Sequence, residues 1–224
     1  MNNLLTVASC LHIGADTCRM DLIDKWIRSV KKTGAKVALI GDTLDMGMFV
    51  GTAHSGSTWE NDLNPEEQID EAVSLLGPIR GNIEAILSGN HEDRLRKATS
   101  IRANRSVADR LGLRSKFYDT IKLLRFGGVT VFLAHGAARS DFTNVLRGWE
   151  GVDVVALGHT HTLSKEVVRR RSLRGVREVH LVRSGTFLEE PRYGQMALYP
   201  PNPLGAAWIK VTDGVANVSL GVEP

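Results

Sequence analysis

KVALIGDTLD, residues 36–45, decides the fold of this chain: an apolar run after its first lysine, then Gly41 and two carboxylates, Asp42 and Asp45. A short run without polar alternation is the mark of a strand buried on both faces, as in a parallel sheet. Loops leaving the carboxyl ends of such strands converge on one crevice. Working outward, LLTVA (4–8) reads as a strand of the same kind. Between the two, Asp21 to Lys32 carries Leu22, Ile23, Trp26, Ile27 and Val30 at helical spacing and is stopped by Gly34. Beyond them, Asn64 caps a helix from Pro65 to about Leu76, and NIEAIL (82–87) is a third strand. A charged helical stretch runs from about Glu92 to Arg110, while Met46 to Leu63 is Gly/Ser/Thr-rich without a clear period.

The second half changes character. IKLLRF and VTVFLA flank Gly127-Gly128 as strand, turn and strand. Asp141 to Trp149 predicts a helix, and VDVVAL (152–157) a buried strand. KEVVRRR and VREVHLV flank Leu173-Arg174-Gly175, and AAWIKVT and VANVSL flank Asp213-Gly214, two hairpins. Strand–helix units followed by hairpins imply an α/β layered sandwich on two sheets. Without repeat, linker or low-complexity block, residues 1–224 read as a single domain.

Composition narrows the function classes. No run of eighteen apolar residues exists, so no helical span is expected, and no secretory leader is read at the N-terminus. Two cysteines, Cys10 and Cys18, form no disulfide framework, so a cytoplasmic location is expected. A net charge of +3 is modest for a dedicated nucleic-acid binder. Basic residues nevertheless cluster between Arg94 and Lys116 and between Lys165 and Arg177, so nucleic acid stays a candidate substrate beside a solvated-face reading.

Five apolar runs end in loops that join Asp, Asn or His to Gly or a second His: Cys10-Leu11-His12-Ile13-Gly14, Gly41-Asp42-Thr43-Leu44-Asp45, Gly89-Asn90-His91-Glu92, Ala134-His135-Gly136 and Gly158-His159-Thr160-His161. Five of the seven histidines stand in these loops. One strand-end histidine is ordinarily a structural hydrogen bonder; five such loops in succession are hard to explain by packing. Collected in one crevice they offer imidazole, carboxylate and amide donors, a set suited to manganese, zinc or iron.

With these blocks in this order, the chain from Leu4 to about Phe187 resembles the calcineurin-like metallophosphoesterases. The resemblance implies a four-layer αββα sandwich of two mixed β-sheets flanked by helices, with two divalent metal ions at the strand ends. It implies that Asp42 bridges them, that one ion also takes His12 and His161, and that the other takes Asn90, His135 and His159. His91 would be no ligand but the general acid or charge stabiliser, and Asp45 and Glu92 would orient histidines. The implied activity is hydrolysis of phosphate esters, phosphodiesters above all, by water activated between the two ions. Asn90, His91 and, in the loop after Phe187, Arg192 or Tyr193 would meet the substrate.

One departure is plain: Cys10 stands where the family has its first Asp. As a ligand its thiolate would favour zinc or iron; the competing reading is a small buried cysteine. Strand alternation would place Cys10 and His12 on one face. Asp16 is a second candidate for the missing carboxylate, Cys18 reads as packing, His180 as structural, and His54 as a mobile surface histidine. Two alternatives stay open from other classes. One is an impaired phosphoesterase fold serving as a binding module, or else a phosphomonoesterase or protein phosphatase. The other is a mononuclear zinc or redox protein using Cys10 and Cys18, which leaves Asn90 and His135 unexplained.

Overall fold

Alternation along three parallel strands sets up the layers. The structure, a computed structural model, describes residues 3–47, 49–50, 53–54, 63–137, 142–172, 175–190, 196, 198, 201 and 203–224. Its elements are β1 (Leu4–Ala8), α1 (Met20–Thr33), β2 (Lys36–Ile40), β3 (Phe49–Val50), β4 (Ala53–His54), α2 (Pro65–Leu76), β5 (Ile83–Leu87), α3 (Asn90–Thr99), α4 (Ala103–Arg110), β6 (Phe117–Tyr118), β7 (Ile121–Phe126), β8 (Val129–Ala134), α5 (Phe142–Gly148), β9 (Val154–Leu157), β10 (Leu163–Ser172), β11 (Gly175–Ser184), β12 (Ala206–Thr212) and β13 (Val215–Gly221).

Two mixed sheets form, in the orders β13-β12-β1-β2-β5-β6 and β10-β11-β9-β8-β7. β1, β2, β5 and β6 run parallel in the first, and β8, β9 and β11 in the second, while hairpin partners close the edges antiparallel. Leu5, Val7, Ala38, Ile40, Ala85 and Leu87 face Val131, Leu133, Val154 and Ala156 across the gap between the sheets. Val37, Leu39, Ile83 and Ile86 point the other way, into a core with α1, α2 and α4. Phe132, Val155 and Leu181 on the far side of the second sheet pack beneath Phe142, Val145 and Leu146 of α5. The result is the expected four-layer αββα arrangement.

α1 shows how the sequence writes such a layer. Ile23, Trp26, Ile27 and Val30 recur at i, i+3, i+4 and i+7 and are buried, and Gly34, at φ 66°, ends the helix with a left-handed residue. Trp26 is fully buried, and its indole N–H donates to Thr6 Oγ1 of β1 at 3.1 Å. Trp26→Ala should therefore cost about 3–5 kcal/mol of folding stability. Urea unfolding would read this as a lowered midpoint at an unchanged slope; a midpoint within error of the parent would refute it.

Several boundaries differ from the sequence expectations. The charged stretch 92–110 is two helices, broken at Ser100, whose φ of 66° a continuous helix cannot contain. Asn82 belongs to a 3-10 turn, so the third strand starts at Ile83, and the 152–157 strand starts at Val154. β6 pairs with β5 over only two residues, too few to leave a pattern. Within the Gly/Ser/Thr-rich stretch, Phe49–Val50 and Ala53–His54 pair as a small ladder. Asp141, Leu173, Arg174, Arg192 and Tyr193 lie outside the described residues, as does the side chain of His54. Among the described residues no helix is long and apolar enough to cross a membrane.

Candidate metal centre

The loops after β1 and β2 run side by side and hold each other. Amides of Cys10, His12 and Ile13 donate to the carbonyls of Gly41, Asp42 and Thr43, each at 3.0 Å, and Asp45 N donates back to Ile13 O at 3.1 Å. Strand alternation is not what aligns Cys10 with His12, because β1 ends at Ala8. Both residues instead have a φ of 52°, as Asp42 has 48°, His159 68° and His161 57°. Left-handed backbone costs a non-glycine residue about 1–2 kcal/mol, and it clusters where function needs the side chain aimed. The returning chain braces the kink: Thr186 Oγ1 and Phe187 N both donate to Cys10 O, at 2.9 and 3.0 Å.

Two glycines bring the loops into contact. A Cβ on Gly89 would lie 2.1 Å from Asp42 Oδ1, and one on Gly41, at φ 92°, would lie 2.8 Å from both Gly89 Cα and His135 Nδ1. Only hydrogen fits at these approaches.

What converges there is a set of lone pairs. His12 Nδ1 lies 2.9 Å from Asp45 Oδ1 and can only donate to a carboxylate, which turns Nε2 outward to within 3.1 Å of His161 Nε2. His135 Nδ1 is likewise committed to the Ile40 carbonyl at 2.9 Å. Its Nε2 therefore presents a lone pair 3.1 Å from Asp42 Oδ2 and 3.0 Å from Asn90 Oδ1. His159 Nδ1 stands 2.7 Å from the same Asn90 oxygen. Acceptors face acceptors, and only protons or a cation can sit between them. Burial opposes protons at three of the rings: it lowers His12, with His91 adding to the effect, and lowers His159, and with His12 it pushes His161 down to about 3. At His135 the Asp42 charge and hydrogen bond outweigh burial and raise the imidazole, so a proton or a cation bridges it to Asp42. The donor set thus fits divalent metal.

Three combinations bring ligand atoms within 4.8 Å of one another: Cys10 with His12 and His161, Cys10 with Asp42 and His135, and His12 with Asp42 and His91. Among the described residues, Cys10, His12 and Asp42 each appear in two of these groups. The Cys10 sulfur is buried and accepts from the His159 amide, although burial and then Asp42 push its thiol well up without a metal. Burial would raise the Asp42 carboxyl too, but His135, then His91 and His12, hold it well below the usual carboxylate range. Asp16, exposed on its turn, joins none of these groups. Cys18 donates to Leu11 O and packs against the core, with burial and then Asp45 raising its thiol to about 12.

His91 packs edge-to-face against His12, with ring centroids 4.5 Å apart, but is committed to a different partner. Its Nδ1 is 2.6 Å from Asp45 O and 3.2 Å from Asp45 Oδ1, leaving Nε2 to face Asp42 Oδ2 at 4.0 Å. Burial lowers this imidazole, yet the Asp45 hydrogen bond and the Asp42 charge raise it overall, so the protonated form is favoured. Asp45 orients two histidines as expected, but Glu92 orients none. Its carboxylate accepts the amides of Asp42, Leu44 and Gly89 at 3.1, 3.1 and 2.7 Å, tying the β2 loop to the start of α3.

Two rim cations escaped the sequence reading. Arg94 Nη1 lies 3.4 Å from His91 Nδ1, a placement legible in principle because the residues are three apart on one helix. Arg183 of β11 reaches Thr160 Oγ1 at 3.3 Å, between His159 and His161, which only the fold could bring about. The larger basic clusters stand differently. Arg96, Arg102, Arg105, Arg110, Arg114 and Lys116 each pair with an Asp or Glu. Arg169 to Arg171 lie along β10, roughly 20–30 Å of strand beyond the centre. Beside Asn90 and His135 opens a cleft of about 370 Å³.

No family model matches the chain, and no curated protein matches it. Among solved structures it is similar to a metallophosphoesterase from Sphaerobacter thermophilus, at 14% identity and a TM-score of 0.47 over 97% of this chain and 87% of that one. It is similar to a conserved uncharacterized protein from Streptococcus pneumoniae TIGR4, titled a predicted phosphoesterase, at 13% and 0.41 over 97% of both chains. It is also similar to Vps29 complexed with zinc from Entamoeba histolytica, at 12% and 0.47 over 97% of both. At these values the functional reading is carried by this chain's own side chains.

Proposed function

We propose that the chain is a metal-dependent phosphoesterase acting on phosphodiesters, with two divalent ions, manganese, zinc or iron, held around Asp42. The carrying observation is the convergence of lone pairs from His12, His135, His159, His161 and Asn90 on one buried carboxylate. Cys10, His12 and His161 would hold one ion and Asn90, His135 and His159 the other, with Asp42 shared. When bound, the ions neutralise phosphate oxygens and lower the pKa of a water. The chain supplies the rest. Asp45 keeps the His91 Nδ1–H, so Nε2 can carry the proton that the leaving alkoxide needs. Asn90 and Arg94 flank the phosphoryl position, and the cleft leaves room for a second ester group on phosphorus. Metal-loaded protein should turn over bis(p-nitrophenyl) phosphate with a kcat/KM about tenfold above that for p-nitrophenyl phosphate. The reverse order removes the diester assignment. Metal uptake without turnover of either ester favours the binding-module reading.

Cys10 is the second test of this centre. A thiolate is softer than a carboxylate, so as a ligand it favours zinc or iron over magnesium. Asp accepts left-handed backbone more readily than most residues, so Cys10→Asp suits the φ of 52°. That variant should retain two metals and shift preference toward manganese or magnesium by at least about tenfold. Cys10→Ala should lose an ion. Full, equally tight occupancy in Cys10→Ala, followed by metal titration, would reduce the cysteine to packing.

A further inference from the structure

The cleft beside Asn90 and His135 has walls of an unusual composition: among the described residues no aliphatic side chain lines it, and its one ring is the His135 imidazole. Its other polar lining comes from Ser88, Asp93, Arg96, Arg102, Asp119 and Thr120. The four charges are closed into two pairs. Arg96 Nε donates to Asp93 Oδ1 at 2.8 Å, and Arg102 Nη1 donates to Asp119 Oδ2. The charge of the described wall residues therefore sums to zero, in a chain that is otherwise basic.

Each class of group that phosphorus can carry meets this wall differently. A second phosphate would have to displace a carboxylate from its arginine or lie against one. A nucleobase would find only the His135 imidazole, which faces Asp42 and Asn90 as a proposed ligand, and no Phe, Tyr or Trp among the described lining residues for the stacking that is a base's main sequence-tolerant contact. An apolar alcohol would strip water from charged groups without replacing its hydrogen bonds. Hydroxyl groups fit. Each aspartate leaves a second oxygen to accept from a hydroxyl, each guanidinium leaves N–H groups to donate to one, and Ser88 and Thr120 can do either. Hydrogen bonds with a charged partner are about twice as strong as neutral ones.

We infer that this cleft is a subsite for a polyhydroxylated group, a sugar or polyol, that stays esterified to phosphorus while the other ester bond is cut. This rests on the phosphodiesterase reading and adds the substrate class to it. His91, on the His12 side of Asp42, meets the departing oxygen, whereas the cleft lies on the Asn90 and His135 side. The retained and leaving groups thus take opposite sides of the centre. Arg102 and Asp119 act as specificity residues, touching the retained group and not the reacting atoms.

The test uses three diesters with one leaving group: the p-nitrophenyl phosphates of glycerol, of thymidine (through its 5′ oxygen) and of p-nitrophenol. Parent protein should show the highest kcat/KM on the glycerol ester. Asp119→Asn and Arg102→Ala should each raise KM for that ester about 10- to 100-fold while leaving kcat near the parent value. The loss on bis(p-nitrophenyl) phosphate, whose retained group brings no hydroxyl to the cleft, should be clearly smaller, and an unchanged unfolding midpoint verifies the fold of both variants, since both side chains are about half exposed. Preference for the thymidine ester, or equal losses on all three esters, overturns the inference while the phosphodiesterase reading stands. No turnover of any ester by metal-loaded parent protein overturns both.

Discussion

Asp42→Ala should leave the protein without tightly bound metal and reduce kcat/KM by at least roughly 10³-fold, more than loss of a group that merely supports a ligand. In the proposed centre its carboxylate is the anion shared by both ions. Oδ2 faces His135 at 3.1 Å, Oδ1 accepts the His91 amide at 3.0 Å, and the residue is 1% exposed. Removing it leaves buried imidazole and amide lone pairs facing one another with no negative charge to hold a cation among them. Asp42→Asn preserves shape and tolerates the φ of 48°, so it separates charge from folding. It should also lose metal, with its unfolding midpoint near that of metal-free parent protein. Metal analysis after gel filtration, together with diester turnover, reads both variants. Near-normal turnover in Asp42→Ala would end the two-metal reading.

His91→Ala should behave in the opposite way with respect to metal: both ions stay, and the rate falls by roughly 10²–10⁴-fold. The ring is committed through Nδ1 to Asp45, while Nε2 stands 4.0 Å from Asp42 Oδ2, outside direct contact. In the proposed role it contributes a proton, so the loss should depend on how much the leaving oxygen needs one. Esters of nitrophenol should lose least and esters of aliphatic alcohols most. A uniform loss across leaving groups would leave His91 as a charge stabiliser only. Asp45→Asn supplies a related check, because Asp45 supports His91 and His12 together. It should weaken both the rate and one metal, which His91→Ala does not.

Much of this was legible in the residues, for identifiable reasons. LLTVA, KVALI and VTVFLA are apolar enough to admit only buried strands, and each is followed by its polar loop. Binding side chains at strand ends are a local pattern, so the composition of the centre was visible before its geometry. Geometry was not. That Cys10 and His12 align through left-handed backbone depends on hydrogen bonds to residues 41–45, which no local pattern encodes. Glu92 illustrates the same limit: a carboxylate beside a histidine reads as its orienter, yet three amides from two loops claim it. Arg183 reaches Thr160 from another strand, and the helix break at Ser100 needs a residue not typical of a stop.

β1 carries a consequence for synthesis. It lies between β2, its neighbour 31 positions on in register, and β12, whose Trp208 pairs with Thr6 some 200 residues later. As the chain leaves the ribosome, β1, β2 and β5 can assemble early, but one side of β1 keeps its backbone amides and carbonyls unpaired until residues 206–212 emerge. The stretch that braces Cys10 through Thr186 and Phe187 also emerges late. An open, apolar strand edge is a template for pairing between chains. The centre of the first sheet is therefore the part of the nascent protein most in need of shielding, and the loops that gather the ligands are completed last.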